Sequence, residues 1–424
     1  MRGRDVYIVK VARLPFVSVK TGVLPTKFHE AAKRVREIDI PKLEAESGLT
    51  IKAEYPPNTS LYSGISTQDL ALILLQELFK DFPVGPEFID VFKMGSVISH
   101  KTEEANIHAF AKVVALRAGM PCASSDTRDK ACSSALAALG EAYRVIKHGY
   151  ADFAIAGGVE KMSDVPDRRV RFGLTNPFDG RLMAALSDEV SKDWGLTREI
   201  LDDYAFESCE RARAWQGRHK FIVPVKTPAG LVVERDEEVD RRPTNRKVFA
   251  RAPLYPQYAE MENSPKCEIT TVANSAQYAD GGGVSFLASG KMVRKYNLPR
   301  LAKIKAFAEV SGPEPKNFIL RPEEAIQKIL DSEGLMWPNI GHFEVNEAFA
   351  AGPKLLMKIR SIERERMNRG GGAIAHGHAI GGTTGMLPAK QIDIMHTGKI
   401  KRCIVTACNA VDEAPAILLE NPYA

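Results

Sequence analysis

From residue 66 onward the chain alternates amphipathic helical stretches with short apolar runs, and no other feature constrains its fold as strongly. STQDLALILLQELFKDF reads as a helix, FIDVFKMGSVI as a strand, ANIHAFAKVVALRAG and SALAALGEAYRVIKHG as helices, and ADFAIAGG as a strand. Strands this short and apolar are buried on both faces, which predicts an α/β fold with a mostly parallel sheet covered by helices. Between about 160 and 268 the pattern lapses into a polar, Arg- and Pro-rich region around one long amphipathic helix, TREILDDYAFESCERARAWQGRHKF. It resumes with GGVSFLASGKMVRKYN and continues through AIQKILDSEG, FEVNEAFAAGPKLLMKI and IKRCIVTAC. IKHGYADFAIAGG and MHTGKIKRCIVTAC share a helix-turn-strand outline, a faint internal repeat that chance similarity of two such units also explains. Upstream, 5–11 reads as a buried first strand, and the charged, Pro-containing stretch 20–64 as an insertion into the core fold.

Lys and Arg number 58 against 53 Asp and Glu, a formal charge of +5, and the two signs are interleaved along the chain. No basic stripe or motif forms, so nucleic acid is excluded as a partner, while an anionic small molecule stays open. The chain holds no apolar run of the roughly 18 residues that a membrane-spanning helix needs. Its first residues enter a β-like alternation at once, which predicts no signal or transit peptide and a cytoplasmic location. Cys122, Cys132, Cys209, Cys267, Cys403 and Cys408 are sparse and form no CxxC pair. They read as reduced thiols, with neither a disulfide frame nor a metal site.

Several residues sit where such a fold places chemistry. Cys132, in RDKACSSALAALGEAY, lies where an extended segment becomes a small-residue helix. A helix amino terminus there would lower the thiol pKa, although a small thiol tucked under a helix fits the same residues. His376 and His378 lie in RGGGAIAHGHAIGGTTG, a Gly-rich loop without a dinucleotide or P-loop fingerprint. Cys408 ends the strand RCIVTAC, at the carboxyl end where α/β sheets hold ligands, and Cys403 within that strand reads as core. Asn346 and Glu347, in EVNEAFA, open a helix after a strand, where Asn346 is equally suited to be an N-cap. Together these residues make a nucleophile, acid/base and oxyanion set.

Four blocks, in this order, resemble the thiolase family: KACSSALAAL with ADFAIAGGVEKMS, EVNEAFA, GGGAIAHGHAIG and IVTAC. The likeness runs from 5 to 420 apart from the insertion, and ANSAQYADGGGVSFLAS resembles the segment returning from that family's CoA-binding loop domain. VTAC and ANIHAFAKVVALRAGMP resemble most the branch of the trifunctional-enzyme β-subunit. The resemblance implies a five-layered αβαβα fold of two similar βαβαβαββ halves plus an inserted loop domain. By it, 1–160 forms the first half, completed by about 275–298, 161–274 the loop domain, and 299–424 the second half. It further implies CoA-dependent cleavage of 3-ketoacyl-CoA, or the reverse condensation, in a homodimer or tetramer, with a multienzyme β-oxidation partner as an option. Coenzyme A would be a co-substrate, with no tightly bound cofactor and no metal.

By the same resemblance Cys132 matches the acyl-accepting nucleophile, His378 the GH histidine, Asn346 the asparagine of NEAF and Cys408 the acid/base cysteine. Backbone N–H groups of Cys132 and Ala410 would hold the oxyanion. Arg242, Ala276 and Asn274 would lie at the CoA site, Ala276 where many relatives have Ser or Thr, and Arg168, Arg169, Arg171, Arg241, Arg246 and Lys247 are further basic candidates. The chain departs from the family at Ala379, where Pro is usual, and at Asn409-Ala410-Val411-Asp412-Glu413, which replaces a Gly-rich turn and would put two acids at the pocket wall. A non-catalytic acyl-CoA-binding or partner-subunit protein of the same fold, and a Cys/His hydrolase, are the alternative readings.

Overall fold

The computed structural model describes residues 3–20, 59–101, 108–166, 170–171, 173–258 and 264–424. Most of the 20–64 stretch, together with Arg168 and Arg169, lies outside these residues. Its two ends are joined: Lys20 and Thr59 exchange backbone hydrogen bonds at 2.8 and 3.2 Å, so the chain re-enters beside the point where it left.

The first half of the chain runs β1 (Val6–Arg13), α1 (Thr67–Phe79), β2 (Val91–Gly95), α2 (Phe110–Arg117), β3 (Ser124–Arg128), α3 (Ser134–Lys147), β4 (Phe153–Lys161) and, after a long excursion, β5 (Ala279–Ser289). The second half runs β6 (Ala302–Ser311), α6 (Arg321–Glu333), β7 (His342–Val345), α7 (Ala351–Arg360), α8 (Thr383–Thr397), β8 (Arg402–Thr406) and β9 (Glu413–Glu420). The excursion between β4 and β5 carries α4 (Met183–Asp193) and α5 (Arg198–Trp215).

Strand order exposes the repeat. In the first half it is β3-β2-β4-β5-β1, with the first two pairings parallel and the last two antiparallel. In the second it is β7-β8-β9-β6, one parallel pairing followed by two antiparallel ones. The missing counterpart of β3 survives as a single parallel bridge between Phe343 and Met367. A three-pair antiparallel seam, Val6 to Ile304, Tyr7 to Lys303 and Ile8 to Ala302, joins the halves.

Helix composition sets the layers. α1 is amphipathic, capped by Ser66, whose side chain accepts from Asp69 N, and it buries Leu70, Ala71, Leu74, Leu75 and Leu78 against β1, β4 and β5. α6 buries Ala325, Ile326, Ile329 and Leu330 against β6 and β9 on the opposite outer face. α3 and α8 are instead buried nearly all round, as helices covered by a sheet on each side must be. α3 packs on β2 and β4 of one half and on β6 and β9 of the other; α8 packs on β1, β4, β5 and β8. The sequence makes room for this: a Cβ at Gly158 would fall 2.4 Å from Gly381 O, so the start of the α8 region can approach β4 only over glycine. The layers therefore run α, β, α, β, α, as expected.

The polar middle region has its own helices and a small apolar cluster around Leu182, Ala184, Ala185 and Cys267, but most of its buried apolar residues pack into a core shared with the second half. Leu186, Leu201, Tyr204 and Phe249 share one apolar cluster with Phe318, Leu355, Ile374, Cys408 and Ala410 of the second half. Its polar character belongs to its outer surface, and its inner face forms one side of the pocket described next.

Candidate active site

Four segments converge where β3, β7 and β8 end. After β3, the chain turns through one 3-10 turn, Ala131–Ser133, into α3, and Ala131 takes the left-handed conformation (φ 47°) immediately before Cys132. A non-glycine residue held there costs of order 1 to 3 kcal/mol, strain of the kind that gathers at functional turns. Two residues beyond β8 stands Cys408; directly beyond β7 stands Asn346, whose N–H donates to Thr406 O at 3.0 Å. The fourth segment, between the short helix Ala373–His376 and α8, carries His378.

Backbone pairing holds these loops in register. His378 N donates to Gln277 O at 2.7 Å, and Ala276 N donates to Ala348 O at 3.0 Å, so the 274–279 segment lies between the His378 loop and the Asn346 loop. Thr384 Oγ1 donates to Cys132 O at 3.2 Å and accepts from Leu136 N at 3.2 Å, tying the His378 loop to the Cys132 turn. Glu160, fully buried at the end of β4, accepts from Val97, Ile98, Ser99 and Gly381 N–H groups, which fixes the far side of the same loop.

Cys132, His378, Cys408, Ala276 and Ala410 line one pocket, closed by Met162, Leu182, Met183, Tyr255, Tyr278, Phe318 and Phe349. Asn346 is buried and is not itself part of the lining, whereas Ala348 and Phe349, two and three residues on, are. Both amide atoms of Asn346 are buried without a hydrogen-bond partner among the described residues, and so is His378 Nε2. Buried polar atoms are rarely left so.

The electrostatics follow from the apolar walls. Burial lowers the His378 pKa to about 4, so its imidazole is neutral at neutral pH. Burial pushes the Cys132 thiol up to about 12, with its own backbone N–H pulling the other way. The sequence expectation is a thiol lowered by a helix terminus; Cys132 does precede α3, but the shift is upward, with burial its largest cause. The Cys408 thiol is also raised, first by burial and then by the neighbouring Cys132 charge. The resting site thus holds two protonated thiols and a neutral base.

The tautomer of that base follows from its partner. Thr383 Oγ1 donates to Ala379 O at 3.0 Å and accepts from Ala379 N at 2.8 Å. With its single proton so placed, it can only accept from His378 Nδ1, 2.9 Å away, leaving Nε2 as a bare acceptor. The Ala379 N–H, which a proline would lack, here restrains the loop that proline stiffens elsewhere.

Backbone donors are also in place. The 3-10 turn is closed by Ser133 N to Lys130 O and by Ser134 N to Ala131 O, and neither bond uses the Cys132 N–H. Ala410 N–H has no acceptor among the described residues.

Other expected contacts fall elsewhere. Arg242 is buried and donates to Ile374 O at 2.6 Å and Ser275 O at 3.0 Å, bracing the His378 loop against the 274–279 segment instead of facing a ligand phosphate. Asn274 is fully buried, donating to Asp202 Oδ1 and Ile269 O and accepting from Thr271 N, so it too is structural. His376 is held by Asp236 and Gly370 O, and Cys403 is core. Arg241 pairs with Glu237 and Arg246 with Asp203. Asp412 does not face the pocket. It is buried with φ 61°, clamped by Arg321 Nε at 2.7 Å and Nη2 at 3.1 Å, while Glu413 opens β9. Glu347, which the sequence grouped with Asn346, is fully buried and accepts from Tyr204, Ser208 and Asn368, while Thr383 was not singled out by the sequence.

An α/β fold of two like halves, with two cysteines and a neutral histidine in an apolar pocket, defines an enzyme that passes an acyl group through a thiol. The thiolase N-terminal domain family matches residues 56–290 and the thiolase C-terminal domain family matches 298–421, so the chain belongs to the thiolase family. It is 30% identical to an acetyl-CoA acetyltransferase of Saccharomyces cerevisiae over 78% of this chain and 87% of that one. It is 28% identical to a probable acetyl-CoA acetyltransferase of Escherichia coli over 85% and 94%. Among solved structures, the Acat5 thiolase of Ascaris suum in complex with coenzyme A is similar with TM-score 0.78 and 25% identity, covering 99% of this chain and all of that one. Human mitochondrial 3-ketoacyl-CoA thiolase shares the fold, with TM-score 0.81 at 22% identity over 99% of both chains.

Proposed function

We propose that this chain is a thiolase-type acyltransferase that cleaves a 3-ketoacyl-CoA with CoA, or runs the reverse condensation, through an acyl-Cys132 intermediate. The observation that carries the reading is the shared pocket of Cys132, His378 and Cys408, with His378 Nε2 unpartnered. His378 Nε2 takes the Cys132 proton as sulfur attacks the 3-keto carbon, so charge appears only as the bond forms. The C2–C3 bond breaks, the electron pair leaves on the acetyl-CoA enolate, and Cys408 protonates it. The Cys132 and Ala410 N–H groups stabilise the acyl oxyanion, each such donor contributing roughly 3 to 4 kcal/mol. His378 and a water on Asn346 hold the enolate oxygen. CoA then attacks the acyl-sulfur bond in a second half-reaction.

Two finer points belong to the proposal. Among the described residues the lining carries no Lys, Arg, Asp or Glu, which supports an apolar acyl group over a carboxylate-ended one. The long-chain, β-oxidation reading predicts faster cleavage of a long-chain 3-ketoacyl-CoA than of acetoacetyl-CoA. A homodimer or tetramer is proposed as well, supported by β3, which is an edge strand among the described residues, and checked by light scattering; a cytoplasmic location is proposed and checked by cell fractionation. The direct test is CoA-dependent loss of 3-ketoacyl enolate absorbance with both substrates, for wild type and Cys132→Ala. Loss that needs CoA and vanishes in the variant supports the enzyme; CoA binding without turnover favours the non-catalytic reading instead.

A further inference from the structure

Asn409 follows Cys408 and lines the pocket, yet its side chain is fully engaged, on two segments at once. Its Oδ1 accepts from Val411 N at 3.1 Å and Glu413 N at 3.0 Å, while its own N–H donates to Glu413 O at 3.0 Å, closing residues 409–413 into an Asx turn. Its Nδ2 reaches the other catalytic turn, donating to Ser133 Oγ at 3.0 Å and Lys130 O at 3.2 Å, with Glu413 Oε2 also at 3.2 Å. Ser133 Oγ gives its proton to Lys130 O, so it is free to accept.

Each half of this arrangement acts on one backbone donor. The Asx turn removes the Val411 and Glu413 N–H groups from the pocket and leaves the Ala410 N–H, just before them at the pocket wall, without an acceptor among the described residues. The amide then fastens that turn to the residues on either side of Ala131 and Cys132. An oxyanion site of two backbone donors works only when both point at one oxygen, about 3 Å from each. Lys130 Nζ also pairs with Glu413 Oε2 at 3.3 Å, so the Asn409 amide and one ion pair together join the 409–413 turn to the 130–133 turn.

We infer that Asn409 is the positioning residue of the oxyanion site, its side chain selecting the Ala410 N–H and fixing it relative to the Cys132 N–H. The inference rests on the acyl-transfer reading of this pocket. It touches no substrate atom; it acts through the two donors.

The test compares Asn409→Ala and Asn409→Asp with wild type in steady-state thiolysis and in single-turnover acetylation of Cys132 by acetyl-CoA, followed by mass spectrometry. Asn409→Ala is expected to lower kcat and the acetylation rate about 10- to 100-fold, with KM, CoA Kd and melting temperature close to wild type. Asn409→Asp keeps the Oδ1 acceptor but loses the Nδ2 clamp, and is expected to fall between the two. Wild-type acetylation rates in a folded Asn409→Ala protein overturn the inference. So does a loss that tracks weaker CoA binding and a lower melting temperature, since that is mere packing; for that case the Asp variant, isosteric with Asn, supplies the second reading. Absence of turnover in wild type itself overturns the acyl-transfer reading, a distinguishable result.

Discussion

Thr383 Oγ1 stands 2.9 Å from His378 Nδ1 and holds both the N–H and the carbonyl of Ala379, so one hydroxyl sets the orientation and the tautomer of the His378 imidazole. Thr383→Val keeps the shape and removes the hydroxyl. The imidazole then loses its Nδ1–H acceptor, and kcat is expected to drop by about 10²-fold, the low end of what a mis-set general base costs. Thr383→Ser restores most of it. Equal kcat in the Val variant contradicts this tautomer assignment.

Acid sensitivity follows from buried neutral histidines. Burial lowers His219 and His378 to about 4 and His342 to about 3. When unfolded, each takes up a proton as pH falls through about 6.5 and the folded form does not, so stability present above that pH is lost on the way down to about 4. Asp280, raised to about 6 by burial, works oppositely between about 3.8 and 6 and offsets part of the loss. These four groups together are expected to make the protein on the order of 4 kcal/mol less stable at pH 5 than at pH 7. Urea midpoints at the two pH values check the sign; an unchanged midpoint contradicts it.

Lys390 and Glu344 form an ion pair at 2.9 Å with both side chains wholly buried, and Lys390 Nζ also donates to Gly371 O at 2.5 Å. Lys390→Met strands the Glu344 carboxylate and is expected to cost about 3 to 5 kcal/mol. Changing Glu344→Leu as well recovers a large part, because it removes the orphaned charge. Thermal melts of the single and double variants, with no recovery in the double, would contradict the assignment.

The layered α/β framework was legible because helices and buried strands print different periodicities, and the convergence of Cys132, His378, Cys408 and Ala410 on one pocket was legible because their motifs stand at element ends. The repeat stayed faint because it lives in strand order and direction, and its β3 counterpart shrinks to one bridge at Met367. The engagement of Arg242 and Asn274 was not legible: a sequence shows a cation or an amide, not whether distant oxygens already occupy it. Asp412 misled, since its partner Arg321 lies 91 residues away. Asn409 looked like a departure from a glycine turn, and only its contact with Ser133, 276 residues away, shows what the side chain does.

The central claim is that the acyl group rests on Cys132. Incubating the protein with acetyl-CoA, quenching in acid and sequencing the peptides by mass spectrometry should find one acetyl group on Cys132 and none on Cys408, lost when CoA is added. An acetyl group on Cys408, or on neither cysteine in a protein that turns over, would contradict the account.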